Sequence, residues 1–192
     1  MKVFLSLYYF VKKNWLSVFI TLIVGLYIFA QVLHLLTPPQ KPLQQPNTWE
    51  SITPNYSTPD DVYKALGQPL KTEKIPEGTQ VSYKSAFLAQ PNTVVINTQN
   101  KVAFVREYVT HAQGGNLQDY VNQFGKYDLV MFDNTTGAAD RTYVFLSKGL
   151  VVVAHIADGS VEQRWYFSPT DQDTFLKTWG KNLSLQEKPD AL

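Results

Sequence analysis

The sequence predicts an α+β protein with an N-terminal single transmembrane helix. The helix is followed by a soluble domain of two tandem helix–antiparallel-meander repeats and a C-terminal capping helix. Three observations predict this fold class. Residues 16–36 form an apolar run, a short helix signal occurs three times after residue 57, and strand-like runs separated by turns follow the first two of these signals.

The apolar run has no charged residue before His34. At about 1.5 Å per residue its length of about 31 Å matches a hydrocarbon core. Trp15 stands where interfacial aromatic residues are found, and Lys12 and Lys13 precede it. We therefore predict a transmembrane helix over 15–36 and a cytoplasmic or interfacial segment over 1–14. The alternative, a cleaved signal peptide, would have an apolar region of about 7–15 residues and a small-x-small cleavage site.

Three small residues in this run lie four positions apart, which places them on one side of a helix. They predict a packing face between membrane helices, formed by Ser17, Thr21 and Gly25. By the positive-inside rule, the protein is expected in the cell membrane as a single-pass chain. Its N-terminus would be cytoplasmic and its C-terminal domain extracytoplasmic.

Residues 37–56 are rich in proline and glutamine and predict a semi-extended linker. The domain that follows divides into a first α-β-β-β repeat over 57–112, a second repeat over 113–168, and a C-terminal helix and tail over 169–192. The helix signals read DDVYKALGQPL, QDYVNQFGKYDL and DTFLKTWGKNL. In the first, Thr58 is the expected N-cap and Gly67 the expected end of the helix. In the last, Ser168 is the expected N-cap and Pro169 the first helical residue, Asp171 is the acid in the first turn, and Gly180 is the expected end of the helix.

Strands are expected at runs rich in β-branched and aromatic residues. Asp158-Gly159, between two such runs, is the strongest hairpin signal in the chain. The expected strands are 81–88, 94–97 and 102–109 in the first repeat, and 129–132, 142–146, 150–156 and 161–167 in the second.

The first helix signal ends in Leu66-Gly67-Gln68-Pro69, a Tyr-bearing strand at Tyr83 follows, and a later hairpin leads into Lys101-Val102. This succession resembles the SmpA/OmlA-like fold of the small lipoprotein subunit of the outer-membrane barrel-assembly machinery. It is also similar to the tandem units of the β-lactamase inhibitor proteins. The resemblance implies a non-catalytic, extracytoplasmic protein-binding module. There is no lipobox cysteine, so the resemblance does not extend to lipid anchoring.

Composition excludes several classes of site. The chain has 17 basic and 16 acidic residues, and only 14 of the basic ones follow residue 36. A domain this close to neutral lacks the basic patch of a nucleic-acid binder. The absence of cysteine excludes disulfides and thiolate metal sites. No histidine pair has metal-ligand spacing. We therefore predict no metal, no cofactor, no nucleic-acid partner and no small-molecule ligand.

The predicted function is that of a binding or assembly module, an accessory subunit of an envelope complex whose partner is another envelope or membrane protein. The strand Arg-Trp-Tyr-Phe at 164–167 is expected to be central and buried on both faces, as base rates for large apolar residues favour; the alternative is an exposed interface patch. The expected partner contacts come from a polar hairpin tip around Asn-Thr-Thr-Gly-Ala-Ala and from the arginine of that strand. These contacts are Asp133, Asn134, Asp140, Arg141 and Arg164. Two alternatives stay open: an extracytoplasmic hydrolase that uses His111 or His155 with an acid, and a small-ligand sensor with an enclosed pocket.

Overall fold

The computed structural model describes residues 15, 23–27, 29, 46–87, 89–133 and 139–187. The chain divides into two compact units, Met1–Leu43 and Gln44–Leu192. In the first unit the described residues are helical. The second unit contains a large sheet and the helices that pack on it.

The predicted transmembrane helix over 15–36 is wrong for the part of the chain that the structure describes. No helix among those residues combines the length and the apolar character needed to cross a bilayer. The prediction rested on hydropathy alone, and of the predicted span the structure describes residues 15, 23–27 and 29. Of the predicted packing face, Gly25 lies within the helical residues 23–27. Ser17, Thr21 and the segment 1–14 lie outside the described residues.

The first regular element of the second unit is a helix, and two groups of four strands follow, separated by two helices and ended by a fourth helix. Its helices are α1 (Pro59–Leu66), α2 (His111–Gly114), α3 (Leu117–Phe124) and α4 (Gln172–Thr178). Its strands are β1 (Lys71–Ile75), β2 (Gly78–Tyr83), β3 (Asn92–Ile96), β4 (Val102–Tyr108), β5 (Leu129–Met131), β6 (Asp140–Phe145), β7 (Leu150–His155) and β8 (Val161–Phe167). A 3-10 turn, Leu146–Lys148, connects β6 to β7.

All eight strands belong to one antiparallel sheet in the order β1-β2-β3-β4-β8-β7-β6-β5. Each group of four consecutive strands is a meander, and the two meanders meet where β4 pairs with β8. In that ladder Arg106 lies opposite Trp165, and Glu107 lies opposite Arg164. The first strand along the chain and the fifth are therefore the two edges.

The predicted fold class is wrong in its main feature. The strands assigned to two tandem repeats form one continuous sheet, joined by a β4–β8 ladder that no local sequence pattern reports. The first group also has four strands where three were expected. The additional strand, Lys71–Ile75, is an edge strand with mostly polar side chains, so it lacks the hydrophobic alternation that predicts a strand.

Helices α1 and α3 pack on the first face of the sheet, the face that carries Val105 and Tyr166. Each starts with a reciprocal cap. Thr58 Oγ1 accepts from the Asp61 amide while the Asp61 carboxylate accepts from the Thr58 amide. Asn116 and Asp119 form the same arrangement at α3. Val62 and Leu66 lie on the side of α1 that faces the sheet.

Helix α4 packs on the second face, the face that carries Phe104 and Phe167. Phe175 lies 5.1 Å from the Phe167 ring, and Trp179 stacks on Phe104 with ring centroids 4.5 Å apart. The N-cap of α4 is Asp171, whose carboxylate accepts from the Thr174 amide. The Ser168-Pro169 start expected from the sequence is therefore wrong by three residues.

The residues just before α1 also belong to the core. Trp49 and Ile52 form an isolated bridge and are almost fully buried on the first face. Lys101 Nζ donates to the Tyr56 carbonyl, and the Asn55 amide donates to the Val102 carbonyl. Residues 46–57, part of which the linker prediction included, are thus held against the strands.

Candidate functional site

The second face of the sheet is covered by α4 at one end of the central strands. At the other end lie five side chains in two neighbouring rows, which we call the Arg106 surface. One row places Arg106 between its cross-strand neighbours Thr93 and Trp165, and the next pairs Tyr108 with Gln163. Four of these residues are part-exposed, whereas Trp165 forms the buried floor.

Arg106 is held by aromatic rings. Its guanidinium carbon lies 4.7 Å from the Trp165 ring centroid and 5.9 Å from that of Phe104, both within cation–π range. No carboxylate among the described residues lies within 4.0 Å of this guanidinium. Its Nε is buried and has no hydrogen-bond partner there. A charged group that can donate five hydrogen bonds is thus left with none of its donors satisfied by a carboxylate.

The neighbours of Arg106 add further donors. Trp165 Nε1 donates to Gln163 Oε1 at 3.1 Å, so the amide oxygen of Gln163 is occupied and its NH2 group points elsewhere. The hydroxyls of Tyr108 and Thr93 make no hydrogen bond to another described residue. The Arg106 surface therefore combines one cation and several neutral donors above an apolar floor.

The first face carries a different polar cluster, which we call the Glu107 network. Arg164 binds the Glu107 carboxylate through Nε and Nη2, each at 2.9 Å. The Tyr166 hydroxyl donates to the same carboxylate at 2.7 Å. Tyr120, from α3, donates to the Gly114 carbonyl and lies 3.5 Å from Arg164 Nη1. Arg164, predicted as a partner contact, is thus engaged inside the domain, with 22% of its side chain exposed.

Burial raises the pKa of the Tyr120 hydroxyl, and it raises that of Tyr166 well above its ordinary value of 10.0. Both groups are neutral in the fold at a pH where an unfolded chain would ionise them. The free energy of unfolding is therefore expected to fall as pH rises above about 10, because the unfolded state then binds fewer protons. Urea midpoints between pH 8 and 11 would measure this.

The variant Tyr120→Phe should flatten that alkaline loss. Tyr56→Phe, which removes the hydroxyl of a side chain that is 77% exposed, should leave the wild-type pH profile unchanged. If the two variants have the same profile, burial of Tyr120 is not the cause of the alkaline loss.

The predicted contact hairpin is partly within the described residues. Arg141 Nη2 lies 2.5 Å from Glu187 Oε1, and its guanidinium carbon lies 4.8 Å from the Phe132 ring centroid. Asp140 lies opposite His155 in the β6–β7 ladder, and its Oδ1 is buried without a hydrogen-bond partner there. Asp133 ends the preceding segment, and Asn134 lies outside the described residues. The contacts described for Asp140 and Arg141 do not include Arg164, which belongs to the Glu107 network.

The histidines meet an acid at an exposed turn. His155 Nδ1 lies 3.8 Å from Asp158 Oδ1. Hydrogen bonds from the backbone amide and the hydroxyl of Ser160 to Asp158 Oδ1 are the largest causes that lower the pKa of that carboxyl, and His155 and His111 lower it further. Asp158 is therefore accounted for by the Asp-Gly hairpin that the sequence predicted, with Gly159 at φ 73°.

Two further features bear on ligands. In the described part of the chain no group of three histidines or acids is placed to hold a metal ion. A depression beside α4 is open to solvent and is lined by polar as well as apolar residues, including Leu176, Lys181 and Gln186. This depression differs from the enclosed apolar pocket that a small-ligand sensor needs.

Sequence reasoning missed the Arg106 surface. Alternation in β4 places Phe104, Arg106 and Tyr108 on one face, and that signal was readable. The pairing of these residues with Trp165 and Gln163 cannot be predicted from the sequence of β4, because it depends on the register between β4 and β8.

Comparison with known proteins finds no matching family model and no matching curated protein. Among solved structures it finds a DUF4309 family protein, YjgB, from Bacillus subtilis subsp. subtilis str. 168. The sequence identity is 16%, the alignment covers 62% of this chain and 84% of that chain, and the TM-score is 0.45. The resemblance to the SmpA/OmlA-like fold and to the tandem β-lactamase-inhibitor units is wrong, because the strands form one continuous eight-stranded antiparallel sheet joined by the β4–β8 ladder.

Proposed function

We propose that this chain is a protein-binding module and that the Arg106 surface is its contact site. The observation that carries the proposal is the state of Arg106, which is part-exposed, supported by Trp165, and free of any carboxylate among the described residues. Arginine, tryptophan and tyrosine are the residue types that dominate interface hot spots. Here all three occur within two rows of one sheet.

The sheet gives this surface a rigid support. Arg106 and Tyr108 lie on β4, and Gln163 and Trp165 on β8, the two strands that join the meanders. Both strands are interior, so their backbone groups are hydrogen-bonded on both sides and the backbone positions from which these side chains extend are fixed. A pre-organised surface loses less entropy on binding than one that must be ordered.

The predicted localisation, with the domain on the extracytoplasmic side, stays a prediction, as does the identity of the partner as another envelope protein. The hydrolase and ligand-sensor alternatives also stay open. The binding proposal differs from the sequence-based one in its location, because it places the contact on the sheet face and not at the Asp133–Arg141 hairpin.

The test is purification of the full-length chain from its own cells after cross-linking, with identification of the proteins that co-purify. Tyr108→Ala removes a part-exposed aromatic side chain from the Arg106 surface, and we expect it to weaken partner binding by about tenfold or more. Tyr56→Ala is the matched control, since it removes the same side chain from a site before α1 that is 77% exposed. Circular dichroism would show that both variants are folded.

Three outcomes would contradict the proposal. If Tyr108→Ala retains the partner while Arg141→Ala releases it, the contact lies at the hairpin that the sequence predicted. If Tyr56→Ala alone releases it, the contact lies near α1. If the folded double variant His111→Gln/His155→Gln is inactive while Tyr108→Ala behaves as wild type, a histidine-dependent enzyme replaces the binding module.

A further inference from the structure

We infer that the partner contacts the Arg106 surface through a carboxylate, an aspartate or glutamate side chain of a protein. This inference rests on the proposed function and specifies the chemistry of the same site. It follows from a comparison of two arginines in one ladder, from the accessibility of the guanidinium atoms, and from the charges around them.

Arg106 and Arg164 occupy the same β4–β8 ladder, one on each face. On the first face, Arg164 has a bidentate partner, because Glu107 lies directly opposite it. On the second face, Arg106 has Trp165 opposite it and no acidic partner in the described residues. The fold thus satisfies one guanidinium with a carboxylate and places a tryptophan at the equivalent position opposite the other.

The atoms of Arg106 that remain available determine the geometry of binding. Nε is buried, so a carboxylate cannot approach the Nε–Nη side of the guanidinium. Nη1 and Nη2 are not fully buried, and neither donates a hydrogen bond to a described residue. A carboxylate would therefore bind end-on to the two Nη atoms, a planar bidentate arrangement that suits arginine better than lysine.

The surroundings favour a single carboxylate over a polyanion. Thr93, Tyr108 and Gln163 supply neutral donors, and Phe104 and Trp165 supply an apolar wall. Nucleic acids and phosphate-rich surfaces are bound by clusters of lysine and arginine. In this patch Arg106 is the one cation among the five residues that define it.

The experiment selects binders from a phage-displayed library of random heptapeptides on the immobilised full-length chain. Wild type is expected to enrich Asp and Glu, whereas Arg106→Gln is expected not to. An enriched peptide and its Asn/Gln counterpart would then be titrated against the variants. We expect a loss of about tenfold or more when either the peptide carboxylate or Arg106 is removed, and little additional loss when both are.

Two variants refine this result. Arg106→Lys keeps the charge but lacks the planar fork, so it should recover only part of the affinity. Lys71→Gln is the charge control, because it removes one positive charge from the same face on β1, three strands away from β4. It should bind the peptide as wild type does.

The outcomes separate this inference from the proposed function. Equal selection of peptides by wild type and Arg106→Gln, or equal loss with Lys71→Gln, overturns the carboxylate inference. If Tyr108→Ala loses the cellular partner while Arg106→Gln keeps it, the surface is right and the carboxylate is wrong. If both variants keep that partner, the proposed function fails as well.

Discussion

Replacing Glu107 by glutamine is expected to lower the free energy of unfolding by about 3–5 kcal/mol. The variant keeps the size of the side chain and removes its charge. Arg164 would then be a largely buried cation without a counter-charge, and the Tyr166 hydroxyl would lose its charged acceptor. Urea unfolding of the full-length chain would measure the change in midpoint.

The control for this prediction is Glu73→Gln. Glu73 also pairs with a cation, Lys71, but 43% and 65% of the two side chains are exposed. Exposed pairs contribute about 0–1 kcal/mol, since water screens both charges. Equal losses for Glu107→Gln and Glu73→Gln would show that the Glu107 network contributes no more than a surface ion pair.

The second large effect is expected at Gly149, which ends the 3-10 turn before β7 with φ 61° and ψ 36°. A Cβ there would lie 2.1 Å from the Phe167 carbonyl oxygen, which belongs to β8. The Phe167 amide also donates to the Gly149 carbonyl at 2.9 Å. Gly149→Ala should therefore lower the free energy of unfolding through two costs. An alanine in the left-handed region costs about 1–2 kcal/mol, and the clash with the Phe167 carbonyl adds about 1–3 kcal/mol.

Asn100→Ala is the matched control for Gly149→Ala. Asn100 has φ 59° in the turn between β3 and β4, and it already carries a Cβ, so alanine introduces no new atom there. Its cost should not exceed that of the left-handed backbone alone. Chemical denaturation of both variants at one pH decides the matter, and a Gly149→Ala loss no larger than that of Asn100→Ala would mean that the backbone yields.

Local signals in the sequence were sufficient to predict where the first helix starts and where a tight turn lies. Thr58, Pro59 and Asp61 define the start of α1, and Asp158-Gly159 defines the β7–β8 turn, because caps and tight turns depend on a few adjacent residues. The aromatic strand around Trp165 is buried, as its composition indicated. Each of these features involves residues that are neighbours in the chain.

The features that the sequence did not reveal depend on distant residues. Arginine is a residue type that is common at interfaces, and only the register with β4 shows that Arg164 is paired with Glu107 inside the domain. The same register puts Arg106 beside Trp165 and so creates the Arg106 surface. Strand β1 was missed for a different reason, since an edge strand needs no apolar side and Lys71–Ile75 carries little of one.

The β4–β8 ladder also has a consequence for how the protein is made. Glu107 and Arg164 lie 57 residues apart in the chain. At ribosomal rates of about 5–20 residues per second, β8 emerges about 3–11 s after the partner edge of β4 is complete. During that interval the nascent first meander presents β4 as an open strand edge, which other chains can join. Biosynthesis of this sheet therefore has a vulnerable period that ends only when the last strand is delivered.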